Sequence, residues 1–140
     1  PVYTRPRFLP ASKINGAAID QAIISDGCII DRSRISHSLI GVRSLIAPGC
    51  RVHRSILLGS NNYETQESKA ASDRDGIPRI GVGENTRIEN TIIDKNARIG
   101  ANCVIIPDDK PEHLDGENYY IRDGIVIIPR NAVISDGTMI

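Results

Sequence analysis

Along most of this chain an aliphatic residue returns every five or six positions, with polar turn formers between. The anchors fall at Ile19, Ile24, Ile30, Ile35, Ile40, Ile46, Val52 and Leu58. After a break they resume at Val82, Ile88, Ile93, Ile99 and Ile105, and they finish at Ile121, Ile127, Val133 and Met139. That rhythm is too slow for one face of a helix and too regular for a loop. Between the anchors stand Asp26-Gly27, Pro48-Gly49, Glu84-Asn85, Lys95-Asn96, Ala101-Asn102, Arg130-Asn131 and Asp136-Gly137. Such small or polar residues tolerate the left-handed backbone of a tight corner. A six-residue period of this kind is the hexapeptide signature of a parallel β-helix, in which each hexad supplies one short strand and one corner. Three hexads close a triangular coil, and stacked coils bury the inner face that no coil buries alone. About fifteen hexads predict about five coils. An antiparallel sandwich would space its strands by about 8–12 residues instead.

Three segments leave the rhythm. Residues 1–16, PVYTRPRFLPASKING, carry three prolines in the first ten positions, which excludes a helix interior or a central strand. They read as an extended connector ahead of a β-helix over 17–140, and the chain as a domain cut from a longer protein. Residues 59–79 are polar, with Gln66–Ala71 suited to a short helical turn, and residues 107–123 form the second interruption. Insertions in solenoids leave from a corner and cover a face or an end. These two are expected either to be functional or to cap an exposed sheet edge.

Composition narrows the core. Aromatic residues make up 4% of the chain, against 24 isoleucines, so the interior is a thin stack of β-branched aliphatics. The 17 basic and 17 acidic residues cancel. Bulk attraction to nucleic acid or to an anionic membrane is therefore excluded, and any anion site must be a local cluster. No apolar run approaches a membrane span and no signal segment opens the chain, so a soluble, cytoplasmic protein is expected. Cys28, Cys50 and Cys103 are odd in number and far apart, with no CxxC pair. They read as buried thiols in a reducing compartment, not as zinc ligands.

Candidate chemistry is sparse. His37, His53 and His113 sit in no HExxH motif, and there is no GxSxG. A histidine on a hexapeptide β-helix can serve as the general base of an acyltransferase, which keeps His37 and His113 open for that role. GVGENTR, 81–87, belongs to the hexad rhythm and is a weak phosphate-loop signal. What remains is scattered positive charge: Arg5 and Arg7 on the connector, Lys95 beside Asp94, and Arg130. The stretches around Lys95 and Arg130 share one grammar: an apolar pair, then a polar residue or Pro, then a basic residue, Asn and Ala. They lie 35 residues apart, which predicts the same side of the prism two coils apart. Two cations held close repel unless an anion bridges them; the alternative is two ordinary solvated corners.

PVYTRPRFLPASK, GVRSLIAPGC, LLGSNNYET, GVGENTRIENTIIDKNARIG and YYIRDGIVIIPRNAVISDGT closely resemble the C-terminal regulatory domain of glucose-1-phosphate adenylyltransferase, the ADP-glucose pyrophosphorylase of glycogen and starch synthesis. The resemblance implies a left-handed parallel β-helix following a separate catalytic domain. That domain, absent here, uses ATP and magnesium, so this piece is expected to need no cofactor and to be inactive alone. It also implies three partners: that catalytic domain, the other subunits of a tetramer, and an anionic effector such as 3-phosphoglycerate or orthophosphate. By resemblance Lys95 is the effector-binding lysine, with Asp94 beside it. Arg130 stands where a second effector lysine is found, Arg7 matches an anion-binding arginine, and Arg5 replaces a usual glutamine. The expected location is the cytoplasm, or the plastid for a plant member. Two alternatives stand beside this reading: a hexapeptide acyltransferase and a purely structural oligomerisation domain.

Overall fold

The computed structural model describes residues 8–140. Eighteen short strands wind into a triangular solenoid. Coil 1 consists of β1 (Lys13–Asn15), β2 (Ala18–Asp20) and β3 (Ile23–Ile24); coil 2 of β4 (Ile29–Asp31), β5 (Arg34–Ser36) and β6 (Leu39–Ile40). Coil 3 has β7 (Leu45–Ile46), β8 (Arg51–His53) and β9 (Ile56–Leu57), and an insertion carrying α1 (Gln66–Asp75) follows it. Coil 4 has β10 (Gly81–Val82), β11 (Arg87–Glu89) and β12 (Thr91–Ile93). Coil 5 runs through β13 (Arg98–Ile99) and β14 (Val104–Ile105). It is then interrupted by β15 (Leu114–Asp115) and β16 (Tyr120–Arg122) before β17 (Ile125–Ile128). A partial sixth coil holds β18 (Val133–Ile134) and a single bridge between Val104 and Met139.

Like-numbered sides stack into three parallel sheets. Sheet A runs β1-β4-β7-β10-β13-β18, sheet B runs β2-β5-β8-β11-β14, and sheet C runs β3-β6-β9-β12-β17 and then adds β16 and β15 antiparallel. One inward aliphatic per strand fills the axis: Ile30, Ile35, Ile40, Ile46, Val52, Leu57, Val82, Ile88, Ile93, Ile99 and Ile105 are all buried. Each contributes about 1.5–3 kcal/mol by leaving water. Beside them, at the inner corners, sit small residues in ladders of their own. Ser33 Oγ accepts from Cys50 N at 3.2 Å, and Thr86 Oγ1 accepts from Cys103 N at 3.2 Å. Ser38 Oγ and Ser55 Oγ do the same for Ser55 N and Thr91 N. The three cysteines are rungs of these ladders, buried and free. Burial pushes the Cys28 and Cys50 thiols above their ordinary value.

Several anchors shift by one residue. Leu57, not Leu58, enters the core, since the strand ends there and Leu58 is already turning into the insertion. Past the second insertion, Val126, Ile128, Ile134 and Ile140 are buried, whereas the six-residue count from Ile121 points to Ile127, Val133 and Met139. The physical cause is the hairpin. β16 pairs antiparallel with β17, so the six-residue frame does not carry through, and side chains alternate from the register Ile92↔Ile127 instead. The first strand also begins at Lys13, inside the stretch read as connector. Gly83 of GVGENTR lies against the Gly100 carbonyl, where a Cβ would come within 2.5 Å, so close coil stacking accounts for it.

Candidate functional site

The corner between sheets C and A turns through a residue of positive φ in every coil. Gly27, Arg43, Asn96 and Asn131 share one position, and where the insertion leaves, Gly59 takes the turn one position earlier, Ser60 N bonding to Val42 O. Backbone hydrogen bonds stack them: Arg43 N to Asp26 O at 3.1 Å, Asn96 N to Gly59 O at 3.1 Å and Asn131 N to Lys95 O at 3.0 Å. Asparagine suits this conformation better than most residues with a Cβ. The last bond decides the placement of the candidate cations. Lys95 and Arg130 occupy equivalent positions on successive coils, about 4.8 Å apart along the backbone stack, and not two coils apart. The hairpin β15–β16 absorbs the extra residues between them.

Lys95 is half-buried and Arg130 is exposed. Among the described residues neither is in an ion pair. Asp94 forms no ion pair with its neighbour's side chain; its Oδ1 accepts the Lys95 backbone N–H at 2.7 Å and so shapes the turn. Arg5 and Arg7 lie outside the described residues. Lower on the same corner the insertion covers the stack. Tyr63 donates its hydroxyl to Gly27 O at 2.7 Å and its ring faces the Arg43 guanidinium at 5.9 Å, while Arg43 also donates to Ser60 O at 3.2 Å. The insertion thus covers the corner at Gly27 and Arg43 and also reaches Asn96, whose Oδ1 accepts from Ser60 Oγ at 3.1 Å and from Asn61 N at 3.0 Å, so that the corner is open only beyond it, toward Asn131.

Beside the open part is a hollow of about 420 Å³ rimmed by Asn62, Thr65, Ser68, Asn96 and Asn131, with Glu64 and Arg98 within it. Glu64 is the insertion's anchor. Its side chain is 3% exposed, accepts from Ile80 N at 2.6 Å and from Ser68 Oγ at 2.9 Å, and forms an ion pair with Arg98 Nη2 at 3.3 Å. Burial pushes this carboxyl up, but the Ile80 amide, the Ser68 hydroxyl and the Arg98 guanidinium together hold it below its ordinary value. Arg98 also donates to Pro78 O at 2.9 Å and Ser72 Oγ at 3.1 Å. Nothing local in the sequence pairs Arg98 with a carboxylate 34 positions earlier. A larger groove, about 720 Å³, runs between α1 and sheet A over Ile29, Leu45, Ile77 and Ile80.

The histidines are not gathered into one site. His37 turns the corner between sheets B and C at φ 49, and its ring meets that of His53 edge-on with centroids 5.4 Å apart. The His53 Nδ1 is 2.7 Å from Ser36 Oγ. His113 is on the hairpin side, 3.7 Å from Asp123. Among the described residues no three His, Cys, Asp or Glu side chains stand together as metal ligands, and no helix is long and apolar enough to cross a membrane.

A family model described as the GLGC left-handed parallel beta-helix domain matches residues 7–139. The chain belongs to this family. The GLGC β-helix domain is the C-terminal domain of glucose-1-phosphate adenylyltransferase, in agreement with the motifs around Lys95 and Tyr119-Tyr120. The match also gives the hand of the coil as left.

Proposed function

We propose that this GLGC β-helix domain is a regulatory and assembly module of an ADP-glucose-forming nucleotidyltransferase of glycogen or starch synthesis. The observation that carries the proposal is the stacking of Lys95 on Arg130, two cations on one corner and neither in an ion pair among the described residues. Their repulsion is relieved by an anion that both can reach. Lysine offers a mobile point charge and arginine a planar fork, a pair suited to a small phosphorylated or carboxylated metabolite such as 3-phosphoglycerate or orthophosphate. Arg7 and Arg5, outside the described residues, are further candidates for the same ligand on the family resemblance alone.

A second feature supports docking on a separate catalytic domain or on neighbouring subunits. Ile23, Leu39, Ile56, Ile92, Ile127 and Tyr120 are register partners along the outer face of sheet C. Four of them, Ile23, Leu39, Ile56 and Tyr120, are at least 37% exposed. A continuous apolar column of this kind on a sheet face marks an interaction surface. Effector binding would then bias how the β-helix sits against the catalytic domain, which itself would hold ATP and magnesium. The place of action is the cytoplasm, or the plastid in a plant.

The test is an activation curve of the full-length enzyme. Lys95→Ala is expected to raise the effector concentration for half-activation about tenfold or more, the loss of one charge-assisted contact, with basal turnover within about twofold. An unchanged curve would remove the corner from regulation and leave an assembly role alone.

A further inference from the structure

Sheet B carries a separate concentration of positive charge. Arg34, Arg51 and Arg87 are register partners on β5, β8 and β11, and all three are exposed. Their successors Ile35, Val52 and Ile88 are buried, so by strand alternation the three arginines stand on the outer face. With strands about 4.8 Å apart, the column is about 10 Å long. Arg87 donates from Nε and Nη2 to Glu89 Oε1 at 3.2 and 3.0 Å. Arg34 and Arg51 have no carboxylate partner among the described residues. The neighbouring outward column on these strands holds Ser36, His53 and Glu89, and the first two are bonded to each other. Glu89 is thus already engaged by Arg87, and the same column ends on β2 at the exposed Asp20, the register partner of Ser36, which is in no ion pair among the described residues.

Like charges directly opposite on adjacent strands destabilise a sheet. A chain with as many acids as bases has no compositional need to place three guanidiniums in one file. We propose that the file is a binding site for a small phosphate-bearing anion, gripped by Arg34 and Arg51, with Arg87 held at its end by Glu89. Guanidinium forks match the oxygens of a phosphoryl group, and two forks one strand apart flank one such group. A long polyanion is disfavoured because the chain carries no net charge to attract it at range. The site is distinct from the Lys95 corner. Sheet B is the side of the triangular prism opposite the corner between sheets C and A, so no small ligand touches both.

The experiment is a titration of the chain with inorganic phosphate, against chloride at matched ionic strength, followed by backbone amide shifts. Saturable, phosphate-specific shifts on β5, β8 and β11 are expected. Arg34→Gln with Arg51→Gln should weaken them by about tenfold for each guanidinium removed. Lys95→Ala should leave them unchanged. Arg34→Lys with Arg51→Lys keeps the charge without the fork and should fall between; it also decides the matter should the glutamine variant fail to fold. A parallel titration with a phosphate monoester separates free phosphate from a phosphorylated metabolite by which binds more tightly. Shifts confined to the Lys95 corner, shifts equal in chloride, or affinity unaltered in both double variants would overturn the proposal. Shifts on sheet B alone would uphold it while counting against the corner.

Discussion

At the scale of the residue, the hexad is a statement about which side chain fits each corner. Thr86 shows how much one atom does. Its hydroxyl donates to Gly100 O at 2.8 Å and accepts from Cys103 N at 3.2 Å, inside a residue that is 1% exposed. Thr86→Val keeps the shape and strands both groups, so a loss of about 1–3 kcal/mol is expected in denaturant unfolding. Fully native stability would show that the two bonds contribute nothing net. The aliphatic rungs were legible because isoleucine and valine recur at a fixed step. The small rungs show themselves only once the coils are stacked, in Ser33-Arg34-Ile35, Cys50-Arg51-Val52 and Thr86-Arg87-Ile88. Those same triplets carry the arginine file, which a search for catalytic motifs passes over because arginine at a hexad's outer position reads as solvated surface.

At the scale of the element, the two insertions behave differently, and neither was readable in detail. The first ends in a capped helix: Thr65 Oγ1 accepts from Ser68 N, and Gly76 closes the helix at φ 70. Besides the contacts of Tyr63 and Ser60, it is attached to the solenoid by the buried Glu64–Arg98 clasp, a contact of high sequence separation that no local pattern encodes. Arg98→Ala leaves a buried carboxylate with one fewer partner and should cost about 3 kcal/mol. Limited proteolysis within 61–79 should accelerate correspondingly; cleavage at the wild-type rate would show that the clasp is not what holds the insertion. The clasp also has a pH signature. The Glu64 carboxyl titrates below its ordinary value of 4.5, so its contribution is complete above that value and drains away as the pH falls through the lower folded value. Acid release of the insertion is therefore expected only below about pH 4.5. Glu64→Gln should abolish that pH dependence, and persistence of the same acid transition would assign it to another group. The second insertion carries the off-by-one error in the core. A repeat count cannot cross a reversal of strand direction, so it points Ile127 inward where Val126 and Ile128 are the buried residues.

At the scale of the whole molecule, stability is distributed coil by coil, since each coil touches only its neighbours. Coil 1 is the weakest link among those described. Its inward residues Ile14, Ile19 and Ile24 are only partly covered, Ile14 being 47% exposed, whereas Ile88 and Ile105 in coils 4 and 5 are fully enclosed. Amide exchange should follow this gradient, fastest over 13–24 and slowest over 87–105. Uniform protection along the axis would mean that the solenoid opens only as one unit. The triangular stack, the coil number and the corner chemistry all followed from period alone. The pairing of Lys95 with Arg130 on adjacent coils did not, because their separation along the chain includes the hairpin's residues.

The hairpin β15–β16 has a meaning in time as well as in space. A growing solenoid is a template: every finished coil offers three parallel edges to whatever strand comes next, and during synthesis that strand can belong to another molecule. The ribosome delivers about 5–20 residues per second, so the edge of sheet C at β12 is exposed for seconds until residues 114–128 emerge. The strand that follows β17 in that sheet then runs backwards and is followed by another only two residues long. From that moment a neighbour cannot continue the spiral on sheet C. The hairpin acts as a full stop, ending the interval in which a nascent chain is open to being spliced into its neighbours.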